Sequence, residues 1–128
     1  VALLDTDPQG SVTRWHEERR RRADGLAPLS FDRPSGWRVP TALDKLRRSH
    51  DVVVLDTPPH AGTDAKVAIR AADLVLMPVQ PSPADLWASE GTRRLAAEEK
   101  RLLRALLNRV PAQGKMRDRV AAALEEME

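Results

Sequence analysis

Two short, wholly apolar runs that each end in an aspartate constrain the fold of this chain more than any other feature of its sequence. Residues 1–4 run into Asp5-Thr6-Asp7-Pro8, and residues 52–55 run into Asp56-Thr57-Pro58-Pro59. Residues 74–79 form a third apolar run. Continuous apolar runs of this length are typical of strands that are buried on both faces of a parallel sheet.

The segments between the apolar runs have helical patterns and helix-start signals. Ser11 or Thr13 is predicted to cap the first helix, Thr41 the second, and Ser82, followed by Pro83, the fourth. Periodicity alone does not decide whether residues 102–107 are helix or strand. We predict helices over residues 11–22, 41–49, 61–72, 82–99 and 116–127.

Residues 24–40 contain three prolines and two glycines and are predicted to be a loop, with a short extended piece near residues 29–31. The alternation of strands and helices predicts an α/β fold, a mostly parallel sheet with helices on both faces. A chain of 128 residues is expected to form a single domain over residues 1–128. The polar turns that end the strands should share the carboxyl edge of the sheet, where ligands bind in such folds.

Composition excludes several classes of protein. The chain is 41% hydrophobic and 31% charged, which is typical of a globular domain and excludes a wholly disordered or fibrous chain. No cysteine is present, which excludes disulfides, thiol nucleophiles and cysteine-ligated zinc. The apolar runs are far shorter than the roughly 20 residues that span a bilayer. We therefore expect a cytoplasmic protein that has no membrane partner.

The aspartates at the strand ends are candidate metal ligands. Asp5 and Asp7 are two residues apart, and Asp56 ends a neighbouring strand. Mg²⁺ is typically held by one or two carboxylates together with phosphate oxygens and water. The alternative is that each aspartate caps the helix that follows it.

These motifs together resemble the ParA-type partition ATPases, which belong to the deviant Walker group of P-loop ATPases along with MinD and the nitrogenase iron protein. The resemblance covers most of the chain. It is carried by VALLDTDPQGS at residues 1–11, VVVLDTPP at residues 52–59, AADLVLMPVQPSPAD at residues 71–85 and LNRV at residues 107–110.

The resemblance implies an incomplete P-loop NTPase-like fold that binds ATP and Mg²⁺, and it assigns a role to each acid. Asp56 matches the Walker B aspartate, which holds Mg²⁺ through water. Asp5 matches another acid near Mg²⁺, and Asp7 matches the acid that positions the attacking water. In these enzymes the protein contributes chiefly positioning and charge stabilisation.

The resemblance also assigns nucleotide contacts. Thr57, Pro58 and Pro59 match a switch segment whose backbone senses the γ-phosphate, and Asn108 matches an asparagine at a strand end that contacts adenine. By the same resemblance, residues 103–107 are a strand.

One family motif has no counterpart in this sequence. The lysine-containing P-loop, which holds the phosphates, would precede Val1, so we expect a partial domain that does not hydrolyse ATP by itself. For the intact parent, the resemblance implies ATP hydrolysis that drives plasmid or chromosome partitioning, a homodimer in the ATP state and a ParB-like adaptor. Two alternatives are a non-catalytic module that binds DNA or a partner, and another deviant Walker ATPase that has a different cargo.

Three groups of residues have a functional interpretation beside a structural one. The run at residues 19–22 is the chain's block of four arginines, and it is either the solvated end of a helix or a nonspecific contact with DNA phosphates. Trp15, Trp37 and Trp87 are expected to serve packing or a partner surface rather than base stacking. Three histidines have no metal-ligand spacing and are expected to be structural: His16, His50 and His60.

Overall fold

The computed structural model describes residues 1–22, 25–59, 62–111 and 115–125. These residues form two compact units, Val1–Ala71 and Ala72–Glu128, which are described separately below. Both units consist of parallel strands joined through helices, which confirms the predicted α/β class. Among the described residues, none of the helices has both the length and the apolar character needed to cross a membrane.

The first unit contains a three-stranded parallel sheet, in which β1 (Ala2–Asp5) lies between β2 (Ser30–Asp32) and β3 (Val53–Asp56). Its central strand is buried along its whole length, as predicted, and pairs residue by residue with its neighbours. The short extended piece that was predicted near residues 29–31 is the edge strand β2. The elements are β1 (Ala2–Asp5), α1 (Ser11–Arg21), β2 (Ser30–Asp32), a 3₁₀ turn (Gly36–Arg38), α2 (Val39–Arg47), β3 (Val53–Asp56) and α3 (Thr63–Ala71).

The predicted caps of the first two helices are wrong. Helix α1 has Gly10 at its N-cap, and neither Ser11 nor Thr13 caps it, because the Thr13 N–H already donates to the Asp5 carboxylate. Helix α2 begins at Val39, directly after the 3₁₀ turn, rather than after Thr41. Pro40 fits in that first turn because the backbone N–H that a proline lacks has no intrahelical partner there.

The second unit pairs β4 (Leu74–Val79) in parallel with β5 (Leu102–Leu107), and it also contains α4 (Pro83–Glu98) and α5 (Lys115–Glu125). Strand β5 settles the segment that periodicity left open, as the family resemblance implied. The Ser82 cap of α4 is confirmed, since its hydroxyl accepts from the Asp85 N–H at 3.1 Å. Residues 126–127 of the predicted last helix and residue 61 of the predicted third helix lie outside the described residues.

The strands differ in how far their side chains are buried, and only β1 is buried throughout. In β4 the side chains alternate between buried and exposed, and Met77 and Val79 pack with Val120 and Leu124 of α5. The other side of the β4–β5 pair exposes four leucines: Leu74, Leu76, Leu102 and Leu106. Strand β3 also leaves Val54 48% exposed. Burial on both faces, which the apolar runs predicted, therefore holds for β1 but holds neither for β3 nor for the β4–β5 pair.

Candidate magnesium and nucleotide site

Asp5 lies at the carboxyl end of β1 and is fully buried. One carboxylate oxygen, Oδ1, accepts from the Asp7 N–H at 3.1 Å. The other oxygen, Oδ2, accepts from the Thr13 N–H at 2.9 Å and from the Thr13 hydroxyl. Thr13 is the third residue of α1, so Asp5 satisfies an N–H group that the start of the helix leaves free. The capping alternative is therefore observed for Asp5, although its carboxylate comes from the preceding strand.

Asp56 ends β3 directly opposite Asp5, its partner in the parallel register. Adjacent strands lie about 4.8 Å apart, so the two carboxylates share one small region of the sheet edge. Burial raises the pKa of Asp56, and the nearby charges of Asp5 and then Asp7 raise it further. Within the described ranges, no hydrogen bond or ion pair reaches the Asp56 carboxylate. Asp56 is therefore partly desolvated, close to two other acids and without a counterion among the residues that the structure describes.

Asp7 lies in the loop between β1 and α1, where local hydrogen bonds fix its position. Its Oδ1 accepts from the Gln9 N–H at 2.9 Å, and its backbone carbonyl accepts from the Gly10 N–H at 3.0 Å. Gly10 has a φ of 65°, a left-handed conformation that favours glycine. The loop therefore holds Asp7 beside the two strand ends without using its second carboxylate oxygen.

Arg33 completes this loop, and the sequence patterns missed it. Its Nη2 group donates to the backbone carbonyls of Pro8, at 3.0 Å, and Asp7, at 3.3 Å. A Cβ atom on Gly10 would lie 3.3 Å from the same guanidinium. Arg33 directly follows β2, so it reaches the carboxyl edge that carries the acids. The position of Arg33 directly after an edge strand could have indicated its role. Strand β2 is too short, however, for its pairing register to be predicted from the sequence.

The switch-like residues Thr57, Pro58 and Pro59 directly follow β3 at the same edge. The first two are half-buried and the third is exposed. Thr6 fixes the start of this segment, since both its hydroxyl, at 2.7 Å, and its N–H, at 3.0 Å, donate to the Asp56 carbonyl. The structure thus brings together the predicted residues of the first unit.

Asn108, the residue predicted to contact adenine, belongs to the second unit and directly follows β5. Its N–H donates to the Val79 carbonyl at 2.9 Å, and its Oδ1 accepts from the Arg109 N–H at 2.9 Å. Arg109 has a φ of 51°, so this turn is a constrained one. The side-chain amide group of Asn108 is left exposed, where it can donate to a ligand.

The acids of the first unit fit a magnesium ion that is held by few protein ligands. Among the described residues, no group of three or more histidine, aspartate or glutamate side chains is arranged to hold a metal by itself. Mg²⁺ needs only one or two carboxylates when phosphate oxygens and waters complete its shell. Asp56 is the better ligand because its charge is uncompensated, whereas both oxygens of Asp5 already accept hydrogen bonds. The sequence contains no glycine-rich phosphate loop with its lysine.

The contacts of the described histidines do not involve these acids. The His50 ring bonds the Ser30 hydroxyl at 2.8 Å, and the His16 ring stacks on Phe31, so both have the structural roles that were predicted. His60 lies outside the described residues. Trp37 and Trp87 are 75% and 74% exposed, and the Arg38 guanidinium lies 4.6 Å from the centre of the Trp37 ring. A partner surface stays the prediction for both.

Comparison with known proteins gives a family and two named relatives. Residues 28–110 match the AAA_31 family, described as an AAA domain. A protein named Maintenance of carboxysome distribution protein A, from Halothiobacillus neapolitanus, is 37% identical over 94 residues, which cover 72% of this chain and 42% of that protein. Its namesake from Gloeobacter kilaueensis is 39% identical over 89 residues, which cover 67% of this chain and 38% of that protein. The chain thus spans about two fifths of the length of these curated relatives.

Proposed function

The chain belongs to the AAA_31 family and is ParA-like, and we propose that it forms part of a protein that hydrolyses ATP to position a cargo in the cell. The observation that supports this most directly is the opposition of Asp5 and Asp56 at the carboxyl edge of β1 and β3, with Asp56 uncompensated. A desolvated carboxylate without a counterion is a good site for a divalent cation, because the cation removes the repulsion that raises its pKa.

The predicted site residues of each unit have a proposed role. Bound Mg·ATP would supply the phosphoryl group, with Asp56 holding the metal through water and Asp5 lying beside it. Asp7 would orient the attacking water through its free carboxylate oxygen. The backbone after β3, at Thr57 and Pro58, would sense the γ-phosphate. In the second unit, the proposed role of Asn108 is a contact with adenine. The phosphate loop itself is not among the residues of this sequence.

The cargo has two candidates. The motif resemblance favours a plasmid or chromosome. The names of the two relatives, which refer to carboxysome distribution, favour a carboxysome or a similar large body. In either case the proposed partners are a ParB-like adaptor, a second copy of the protein in the ATP state and nonspecific DNA. A non-catalytic module that binds DNA or a partner remains the alternative if the protein hydrolyses no ATP.

The experiment compares two acids in the protein encoded by the whole gene. Asp7→Ala should bind Mg·ATP with nearly unchanged affinity and lose about 100- to 10,000-fold in kcat, because a water-orienting group acts in the transition state. Asp56→Ala should weaken Mg²⁺-dependent nucleotide binding itself, because a lost metal ligand acts before the chemistry. Calorimetry with Mg·ATP and a phosphate-release assay measure the two effects.

Asp44→Ala is the matched control, since Asp44 is an exposed acid on α2. It should change neither the affinity nor the rate. Hydrolysis at the parental rate by Asp7→Ala would refute the role of Asp7, and absence of hydrolysis in the parent protein would favour the non-catalytic module. Fluorescence microscopy of labelled carboxysomes and of a labelled plasmid, in cells with and without the gene, separates the two cargoes.

A further inference from the structure

The four consecutive arginines at the end of α1 do not form one uniform basic patch. Arg21 and Arg22 both lie close to the Glu18 carboxylate, so the charge of this half of the run is partly neutralised within the helix. Arg19 and Arg20 instead line a cavity of about 330 Å³ in the first unit. The run therefore divides into a half that serves the helix and a half that faces a cavity.

One of the two arginines of this cavity is held in place by its contacts. The Arg19 Nη2 group donates to the Ala27 carbonyl at 2.8 Å, and its guanidinium lies 5.8 Å from the centre of the Trp15 ring. These contacts hold Arg19 in place and leave other N–H groups of its guanidinium free to donate. Arg20 has no hydrogen bond or ion pair with any residue that the structure describes. The described lining includes no acid that would compensate either charge.

The rest of the cavity is apolar and aromatic. The His16 ring stacks on Phe31 with 4.4 Å between ring centroids and 14° between ring planes, which makes a flat wall. Because His16 lies three and four residues before the two arginines, all three side chains share one side of α1. Leu26, Pro28 and Leu29 supply an aliphatic part of the lining, and Leu26 is 46% exposed although it is a large apolar residue.

We propose that this cavity is a binding site for a small organic anion, a carboxylate or phosphate group carried on an apolar body. Guanidinium groups bind both anions through paired N–H donors, and the stacked rings and aliphatic wall accept the apolar body. The volume is at the small end of ligand sites, which suits a single ring with one charged group. The site shares no residue with the acids at the ends of β1 and β3, so its test is independent of the proposed ATPase function.

The probe is phenyl phosphate, titrated into the ¹⁵N-labelled chain and followed by two-dimensional NMR. A ligand of this size should bind with a Kd of about 1–10 mM and shift the amide signals of Leu26, Ala27 and Leu29 and the indole signal of Trp15. Inorganic phosphate, which lacks the apolar body, and benzyl alcohol, which lacks the charge, should both bind more weakly. N-acetylphenylalanine tests whether a peptide carboxylate serves as well as a phosphate ester, and tighter binding of either anion supports the proposal and identifies the preferred group.

Arg20→Gln is the test variant, because glutamine has a helix propensity similar to that of arginine and removes a charge that has no partner among the described residues. It should raise the Kd about 3- to 10-fold. The effect is smaller than that of a buried charge-assisted hydrogen bond, because solvent screens the exposed Arg20 charge. Arg14→Gln on the same helix makes the same change in net charge outside the cavity and should leave the Kd unchanged. Circular dichroism checks that both variants keep their helices.

Three results would overturn the proposal. Equal effects of Arg20→Gln and Arg14→Gln would show general attraction to a basic surface. Equal affinity for phenyl phosphate and inorganic phosphate would show that the apolar walls take no part. A duplex oligonucleotide that displaces phenyl phosphate and also shifts the signals of Arg14, Arg21 and Arg22 would assign the whole run to nucleic acid.

Discussion

The β1–α1 and β4–α4 connections solve the same structural problem in different ways. Each joins a strand to a helix through a polar turn, and in each an aspartate takes part at the helix N-terminus. In the second unit the cap is local, since the Ser82 hydroxyl and the Asp85 carboxylate bond each other and the nearby backbone. In the first unit the cap is Asp5, which belongs to the strand and lies eight residues before the N–H that it accepts.

This difference determines how each connection can serve a site. A local cap stabilises its helix without any contact from the preceding strand. The Asp5 cap instead ties the end of β1, the Asp7 loop and the start of α1 into one hydrogen-bonded unit. The loop that carries Asp7 is thereby fixed before any ligand binds, which is the arrangement that preorganised sites need.

The largest expected effect comes from breaking the cap that spans the β1–α1 connection. Asp5→Ala removes the acceptor of two N–H groups and a hydroxyl at a fully buried position. The free energy of unfolding should fall by about 2–4 kcal/mol, because these donors lose a charged partner and are left unsatisfied. Urea unfolding followed by circular dichroism measures the loss.

Asp5→Asn serves as the graded control for that measurement. Its amide oxygen can still accept from Thr13, whereas its NH₂ group faces the Asp7 N–H, so the loss should be intermediate. A loss below about 1 kcal/mol for Asp5→Ala would mean that the cap adds no more than an ordinary neutral hydrogen bond.

A smaller effect is expected from breaking the local cap. Ser82→Ala should lower the free energy of unfolding by about 1 kcal/mol, since it removes the acceptor for the Asp85 N–H. Ser11→Ala is the matched control, because Ser11 is also a serine at the start of a helix but does not cap it. It should change the stability by less than about 0.5 kcal/mol. Equal losses in the two variants would contradict the assignment of Gly10 as the N-cap of α1.

The same contrast explains which parts of the fold could be predicted from the sequence. The Ser82 cap was predictable because serine, proline and aspartate stand next to each other. The cap of α1 was not, because it requires knowing that Asp5 of the strand folds back onto Thr13. Arg33 was missed for the same reason, since its contacts with the Asp7 and Pro8 carbonyls span about 25 residues of chain.

The burial of a strand depends on the strands and helices that lie beside it, which the sequence patterns did not identify. Strand β1 lies between β2 and β3 and is buried throughout, whereas β4 is wholly apolar and yet exposes every second side chain. An apolar composition shows which side chains of a strand can be buried. Which of them are buried depends on the strands and helices that pack against it. The acids of the candidate site were predicted because strand ends in a parallel sheet meet at one edge whatever covers the faces.

The smallest expected effect is an increase in the free energy of unfolding rather than a loss. It concerns Asp56, whose carboxylate takes no part in the β1–α1 cap. Burial and the charges of Asp5 and Asp7 raise the pKa of Asp56 above its usual value of 3.8. Below that value the carboxyl is protonated in both the folded and unfolded chain, so the charge has no effect on stability. As the pH rises through the folded pKa, the unfolded chain ionises more readily, and the folded state becomes less stable relative to it.

Asp56→Asn removes this effect, so at pH 7 the variant should be more stable than the parent, and near pH 3 the two should have equal stability. Because the carboxylate is partly solvated, the gain should be only about a few tenths of a kcal/mol. Scanning calorimetry across this pH range measures it, with Asp44→Asn on α2 as an exposed control that should show no such gain. At pH 7, Mg²⁺ should raise the melting temperature of the parent and not that of Asp56→Asn, because only the parent offers the uncompensated ligand. If Asp56→Asn instead destabilises the chain at pH 7, the carboxylate has a stabilising partner in solution, and Asp56 no longer differs from Asp5 as a residue left free for a metal.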